Sequence, residues 1–148
     1  GEVLTVLCEN MGRANFGPKM MRRKGIAGRC LLGGKIHFGW NAYPLPMDNT
    51  DKLVFAESAE ENGNCRFYRG YMNIGEPADT FLRTDNFTKG FVLVNGFNIG
   101  RFWDVGPQKT LYVPAGLLKK GINEITVFES DGLKGKPAVV FADKPDLG

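Results

Sequence analysis

The sequence predicts an all-β protein, a β-sandwich of two packed antiparallel sheets, and three observations carry that prediction. The 148 residues include 20 glycines and 8 prolines spread along the whole chain, a distribution that favours many turns over a few long helices. The apolar residues fall in short runs, several of which alternate strictly with polar ones, the period of a half-buried strand. Turn formers separate the runs, above all Asn95-Gly96, a strong short-range hairpin signal. A chain of this length folded as one domain buries roughly 70% of the surface its unfolded form exposes, so a single sandwich over 1–148 is the expectation.

The elements follow in order. Residues 2–9 place Val3, Thr5 and Leu7 on one face and Leu4, Val6 and Cys8 on the other, so both faces ask to be covered and a central strand is expected. Residues 10–18 carry Asn, Gly and Pro at close intervals and predict an ordered loop. A strand over 25–32 and its partner over 35–40 flank the two-residue turn Gly33-Gly34. Pro44 and Pro46 hold the next stretch extended, because each removes a donor and biases its predecessor away from helix. Residues 48–64 are polar and acidic, ending in the turn Asn62-Gly63-Asn64, and predict a surface excursion or a short helix.

Strands resume over 66–74, where Phe67, Arg69, Tyr71 and Asn73 oppose Tyr68, Met72 and Ile74. They continue at 80–82 and at 91–94, an unbroken apolar run that turns at Asn95-Gly96 into a return strand over 97–102. A strand at 111–114, one helical turn over 115–120 closed by Gly121, and strands at 123–129 and 138–141 complete the chain. The total is eight to ten short strands.

Composition excludes several functions. The net charge is +3 from 19 basic and 16 acidic residues, far from the basic excess of a phosphate-backbone binder, and the one basic run, 19–24, holds no aromatic ring to stack a base. Nucleic acid is not an expected partner. No segment has the roughly 18 to 20 apolar residues that span a bilayer, so no membrane partner is expected either. Cys8, Cys30 and Cys65 lack metal-ligand spacing and His37 is the sole histidine, so neither a metal site nor a cofactor is expected. Cys8 and Cys30 sit in apolar runs and read as small buried hydrophobes, while Cys65 follows a polar loop. That usage suits a reducing, cytoplasmic compartment. His37 reads as a structural residue. The carboxylates Asp48, Asp51, Glu57, Glu60 and Glu61 lack the spacing of a calcium loop. Because an apolar strand begins almost at once, the chain reads as a piece of something longer.

Five motifs carry a family likeness. N-M-G-R-A-N-F-G at 10–17, K-G-I-A-G at 24–28, V-N-G-F-N-I-G-R-F-W at 94–103, G-P-Q-K-T-L-Y-V-P at 106–114 and L-K-K-G-I-N-E-I at 118–125 resemble, in order and spacing, the C-terminal region of glycoside hydrolase family 35 β-galactosidases. The resemblance covers almost the whole chain. It implies a galactose-binding-domain-like jelly roll that follows a catalytic (β/α)8 barrel, and hence an accessory domain with no catalytic residues of its own. The family's retaining chemistry needs two carboxylates about 5 to 5.5 Å apart at the mouth of a barrel, and this chain has no room for one. Asn123-Glu124 superficially matches the Asn-Glu pair that carries the family's acid/base, yet it follows Gly121 at the start of a strand and reads as a strand-end pair.

Two clusters have the residue types of sugar recognition or domain contact. Trp40, Tyr43, Arg101 and Trp103 offer flat rings and a guanidinium, the chemistry that meets the C–H face and the hydroxyls of a pyranose. The spacing of two places Arg101 and Trp103 on one face beside Ile99, with Phe102 opposite, so the guanidinium can lie over the indole. Packing or docking is the first reading of this pair and sugar contact the second. Arg13, with Asn10 and Asn15, reads as an organiser of its loop and then as a domain contact. Asn95 and Gly96 are structural turn residues. The leading function is a non-catalytic accessory domain that braces the barrel of its parent chain and shapes substrate access. The alternative is an autonomous module that binds galactose-containing glycans.

Overall fold

The computed structural model describes residues 3–10, 12, 14–57 and 65–148. They form nine strands: β1 (Leu31–Leu32), β2 (Lys35–Ile36), β3 (Arg66–Ile74), β4 (Thr80–Asp85), β5 (Lys89–Val94), β6 (Phe97–Trp103), β7 (Thr110–Val113), β8 (Gly121–Glu129) and β9 (Ala138–Ala142). Short 3-10 turns at Thr50–Lys52 and Ala115–Leu117 are the helical elements among the described residues. The chain is all-β, as the turn-rich composition implies. It divides into two compact units, Gly1–Leu45 and Pro46–Gly148, and each is described by itself.

The second unit is an antiparallel sandwich of the jelly-roll kind. One sheet has the order β3-β8-β5-β6 and the other β7-β4-β9. Between them lies the core: Val92 and Val94 of β5, Phe102 of β6, and Ile125 and Val127 of β8 meet Leu82 of β4 and Leu111 and Val113 of β7. The inner residues of β8 alternate as Asn123, Ile125, Val127 and Glu129, and all four are buried. The opposite face of the larger sheet is apolar too, with the rings of Phe67, Phe91 and Phe128 in mutual contact at centroid distances of 4.9 to 6.2 Å. This explains why 91–94 lacks alternation: a strand covered on both sides needs none.

Local signals place the β5–β6 hairpin. Asn95 has φ 50° and Gly96 φ 82°, the two positive values that the favoured two-residue turn demands. A bulge follows. Val92 pairs with Gly100 and Leu93 with Asn98, so Ile99 is the extra residue. The bulge overturns one expectation: regular alternation puts Ile99 beside Arg101 and Trp103, whereas Ile99 packs against the core while those two stay on the exposed side. Gly100 absorbs the distortion at φ 125°, as bulge geometry favours glycine.

The first unit differs more from the sequence reading. Residues 3–8 form no strand, and Val3 is 90% exposed. The alternating apolar pattern marks faces that want cover, but a strand also needs a hydrogen-bonded neighbour, and no described residue pairs with this stretch. The long hairpin expected over 25–40 shrinks to two residue pairs around Gly33-Gly34, extended by a bond from the His37 N–H to the Cys30 carbonyl at 3.1 Å. Cys8 is accordingly exposed and Cys30 half-buried rather than both being core. Cys65 is also a free thiol and donates to the Ser130 carbonyl at 3.3 Å.

Gly90 of β5 is sterically obligatory. A Cβ there would stand 1.7 Å from the Phe128 carbonyl oxygen and 3.1 Å from the Phe102 ring, and the first contact is with rigid sheet backbone. Gly90→Ala is therefore expected to lower the unfolding free energy by about 3 kcal/mol, measured by urea denaturation. Unchanged stability would show that β5 and β8 are not packed as described.

Candidate functional site in a cleft beside Trp103

A cleft of about 370 Å³ opens where the end of β6 meets β4 and the segments 104–109 and 134–146. Trp103 forms part of its lining and is 43% exposed. The position of this ring is set from below. Glu129, fully buried at the end of β8, accepts the Thr88 N–H at 2.7 Å, the Thr88 hydroxyl at 2.6 Å, and the Asp131 and Gly132 N–H groups at 2.8 and 3.1 Å. A buried carboxylate is tolerable only when its lone pairs are filled in this way. The Thr88 carbonyl in turn accepts the Asp104 N–H at 2.7 Å, and Lys89 pairs with Trp103 across the ladder.

Lys89 is also the cation placed over the indole, with its Nζ 5.5 Å from the ring. The expected partner was Arg101, two residues away on the same strand. Cross-strand neighbours lie closer to each other than residues i and i+2 along a strand, and this favours the lysine. Arg101 is exposed on the same side of β6.

The polar lining comes from distant segments. On β4, Arg83 grips Asp85 in a two-point pair, Nε to Oδ1 at 2.7 Å and Nη2 to Oδ2 at 2.9 Å, the strong geometry for a guanidinium and a carboxylate. Lys134 pairs with the Asp104 carboxylate, and Lys109 donates to the Asp104 carbonyl. The Asp146 carbonyl accepts from the N–H groups of Lys109 and Thr110 at 3.0 and 3.2 Å, fastening the last residues to β7. Gly106-Pro107, in the intervening loop, is a cis peptide. Arg83, Lys109 and Lys134 balance Asp85, Asp104 and Asp146 around the cleft. Such a lining suits a neutral, hydroxyl-rich ligand or a polar protein surface better than a phosphate. The hydrogen bond from Lys134 holds the Asp104 carboxyl below the usual carboxylate range, with burial opposing and the charges of Lys134 and Lys109 assisting.

The residues singled out from the sequence do not form one cluster in either unit. Trp40, Tyr43 and Asn15 belong to the first unit, Arg101 and Trp103 to the second, and Arg13 lies outside the described residues. Trp40 donates its Nε1–H to the His37 carbonyl at 3.0 Å, a local tie. Tyr43 and Asn15 are exposed. Among the described residues no group of three histidines, cysteines or carboxylates could hold a metal ion.

Asn95 and Asn123 prove more connected than turn and strand-end residues need be. The Asn95 amide donates to the Leu117 carbonyl and to Asn123 Oδ1, both at 2.8 Å, and its Oδ1 accepts the Glu124 N–H at 3.0 Å. Asn123, fully buried, donates to the Lys119 and Gly121 carbonyls at 2.7 and 3.0 Å and accepts the Lys119 N–H at 2.9 Å. Glu124 lies 3.9 Å from Arg69 across the sheet. The pair that superficially matches a catalytic motif is thus a structural joint and a partner in a surface ion pair.

Two family models match the chain. Residues 65–123 match the β-galactosidase galactose-binding domain and residues 1–46 match the β-galactosidase first all-β domain. The chain belongs to the β-galactosidase family. β-Galactosidase 1 of Dictyostelium discoideum is 39% identical over 136 residues, covering 86% of this chain and 20% of that protein. β-Galactosidase-1-like protein 2 of Homo sapiens is 39% identical over 99% of this chain and 24% of its own length. β-Galactosidase 17 of Arabidopsis thaliana is 40% identical over 85% of this chain and 21% of its own length. This β-galactosidase segment therefore spans about a fifth to a quarter of these relatives. The boundary between the matched models, between residues 46 and 65, agrees with the division into units near residue 45.

Two outcomes check the site. Glu129→Gln puts an amide donor where backbone N–H groups already point, and is expected to cost about 2 kcal/mol or more, with Trp103 fluorescence shifting as its support loosens. The Asp104 carboxyl is expected to titrate below the ordinary aspartate value. Because its folded value is depressed, the Lys134 pair adds stability above the unfolded value and loses it as pH falls through the folded one. Carbon-detected NMR titration reads this directly, and Lys134→Met should move the midpoint upward.

Proposed function

We propose that this β-galactosidase segment is a non-catalytic accessory part, which braces the catalytic barrel of its parent chain and shapes access to the substrate. The observation that carries the reading is the apolar surface of the first unit. Val3, Phe16 and Phe38 are 86 to 90% exposed there, and Ile26, Leu31 and Leu32 are exposed as well. Large exposed apolar surfaces usually mark interaction sites, and covering one such side chain fully gives about 1.5 to 3 kcal/mol. A handful of them suffices to hold a neighbouring domain. The carboxylates beside Trp103 support the same reading, since Asp85 and Asp104 are engaged by Arg83 and Lys134 rather than set facing each other across a glycosidic bond.

A second reading, an autonomous module for galactose-containing glycans, is favoured by the balanced polar cleft with Trp103 in its lining. One set of measurements separates the two. In the full-length parent, Val3→Asp with Phe38→Asp is expected to lower the melting temperature by several degrees while KM for a chromogenic galactoside stays unchanged. The purified 148-residue chain should release no product from that galactoside, and titration with lactose should move no NMR signal around Trp103. Saturable millimolar binding that Trp103→Ala abolishes without unfolding would establish the module instead.

A further inference from the structure

The two sheets of the second unit are unequal, and the mismatch leaves a slot. The sandwich is closed on the side where β6 runs beside β7, with the Gly100 Cβ position 3.6 Å from Leu111 Cδ2. Counting from that side, β6, β5, β8 and β3 of one sheet face β7, β4 and β9 of the other. Among the described residues no strand takes the fourth position of the smaller sheet, the one that lies over β3. A cleft of about 290 Å³ occupies that place. Tyr68 and Met72 of β3, Val127 of β8, Val139 of β9 and Phe87 from the loop between β4 and β5 line it, so it reaches the otherwise buried inter-sheet core. Gly70, between Tyr68 and Met72 on the inner face of β3, also lines it, and an added Cβ there would meet nothing within 4 Å. Sheet interiors do not ordinarily leave such space, because packing is close to crystalline density. Both β3 and β9 end their sheets, and exposed edges of this kind are a hazard that native proteins cover.

We propose that an extended segment of the parent chain, from outside these 148 residues, enters this slot as a fourth strand beside β9 and lays apolar side chains over Gly70. The proposal rests on the accessory reading. Its occupant is chosen by three facts. The slot is one strand wide and lies within a sheet layer, so it takes a single extended peptide and not the face of a folded partner. All seven strands formed by the described residues of this unit are already paired. The unpaired apolar stretch 3–8 falls under the family model of another domain, whereas the related β-galactosidases are four to five times longer than this segment, by its 20 to 24% share of them. Strand addition of this sort supplies main-chain hydrogen bonds to the free edge and side chains to the open core together.

Hydrogen exchange on the unmodified full-length parent reads the edge. The amides of Ala138–Ala142 that do not donate to β4 are expected to exchange within about tenfold of those that do; exchange faster by about a hundredfold or more, typical of solvent-exposed edges, overturns the proposal. A photo-crosslinking residue at Met72 in the full-length parent should link to one stretch of the same chain outside this segment. A link to residues 3–8 or to a second copy, or no link, overturns it. Gly70→Val should lower the parent's melting temperature, as overpacking does; in an empty slot the same change is neutral or stabilising, since valine suits a strand better than glycine. If the edge proves open while Val3→Asp with Phe38→Asp still weakens the parent, the accessory reading stands and this inference alone falls.

Discussion

The second unit depends on one strand being held at both ends by buried polar side chains. Along the inner face of β8 the order is Asn123, Ile125, Val127, Glu129. The two aliphatic residues feed the core, and the polar residues that bracket them bind turns from elsewhere in the chain. Asn123 joins the β5–β6 turn to the residues before β8, through Asn95 and the Lys119 and Gly121 carbonyls. Glu129 gathers Thr88, Asp131 and Gly132 at the other end. No buried side-chain polar atom among the described residues lacks a partner. Full satisfaction matters because a half-paired network in a low-dielectric interior is worse than none.

These anchors specify more than they stabilise. A neutral hydrogen bond adds only about 1 kcal/mol net, while the aliphatic cluster supplies most of the driving force by burial. What the polar ends contribute is register. A slip of β8 by one residue would turn Ile125 and Val127 outward and leave both Asn123 and Glu129 without partners. The Trp103 cleft inherits this precision, since Glu129 holds Thr88 and Thr88 holds the backbone of Asp104. The shape of the cleft is thus decided some way below its surface.

The two units present opposite problems. In the sandwich every described strand has a neighbour, and β3 and β9 leave a slot at the open side. Among the described residues of 1–45 the balance is reversed: exposed apolar side chains are plentiful and only two short strands are paired. A chain that leaves so much apolar surface uncovered is physically legible as part of a larger body, which accords with its fifth-to-quarter share of the relatives' length. The same argument explains why the division falls at the proline-rich stretch around residue 45, where Pro44 and Pro46 interrupt backbone pairing.

By itself the sequence determined the strands from 66 onward to within a few residues, the Asn95-Gly96 turn, and the family. Those features rest on local chemistry: alternation, positive φ, and motif spacing are all written within ten or so consecutive residues. The tertiary structure alone decided that residues 3–8 form no strand and that Ile99 turns inward at a bulge. It also decided that Lys89 rather than Arg101 sits over Trp103, and that Arg83, Asp85, Asp104 and Lys134 share one cleft. Each of these depends on which distant residue lies alongside, and pairing across a sheet leaves no trace in the local pattern of either partner. Glu129 illustrates the limit: an acidic residue at the end of an apolar strand looks like a solvated boundary, and only the loop folded over it shows a buried anchor.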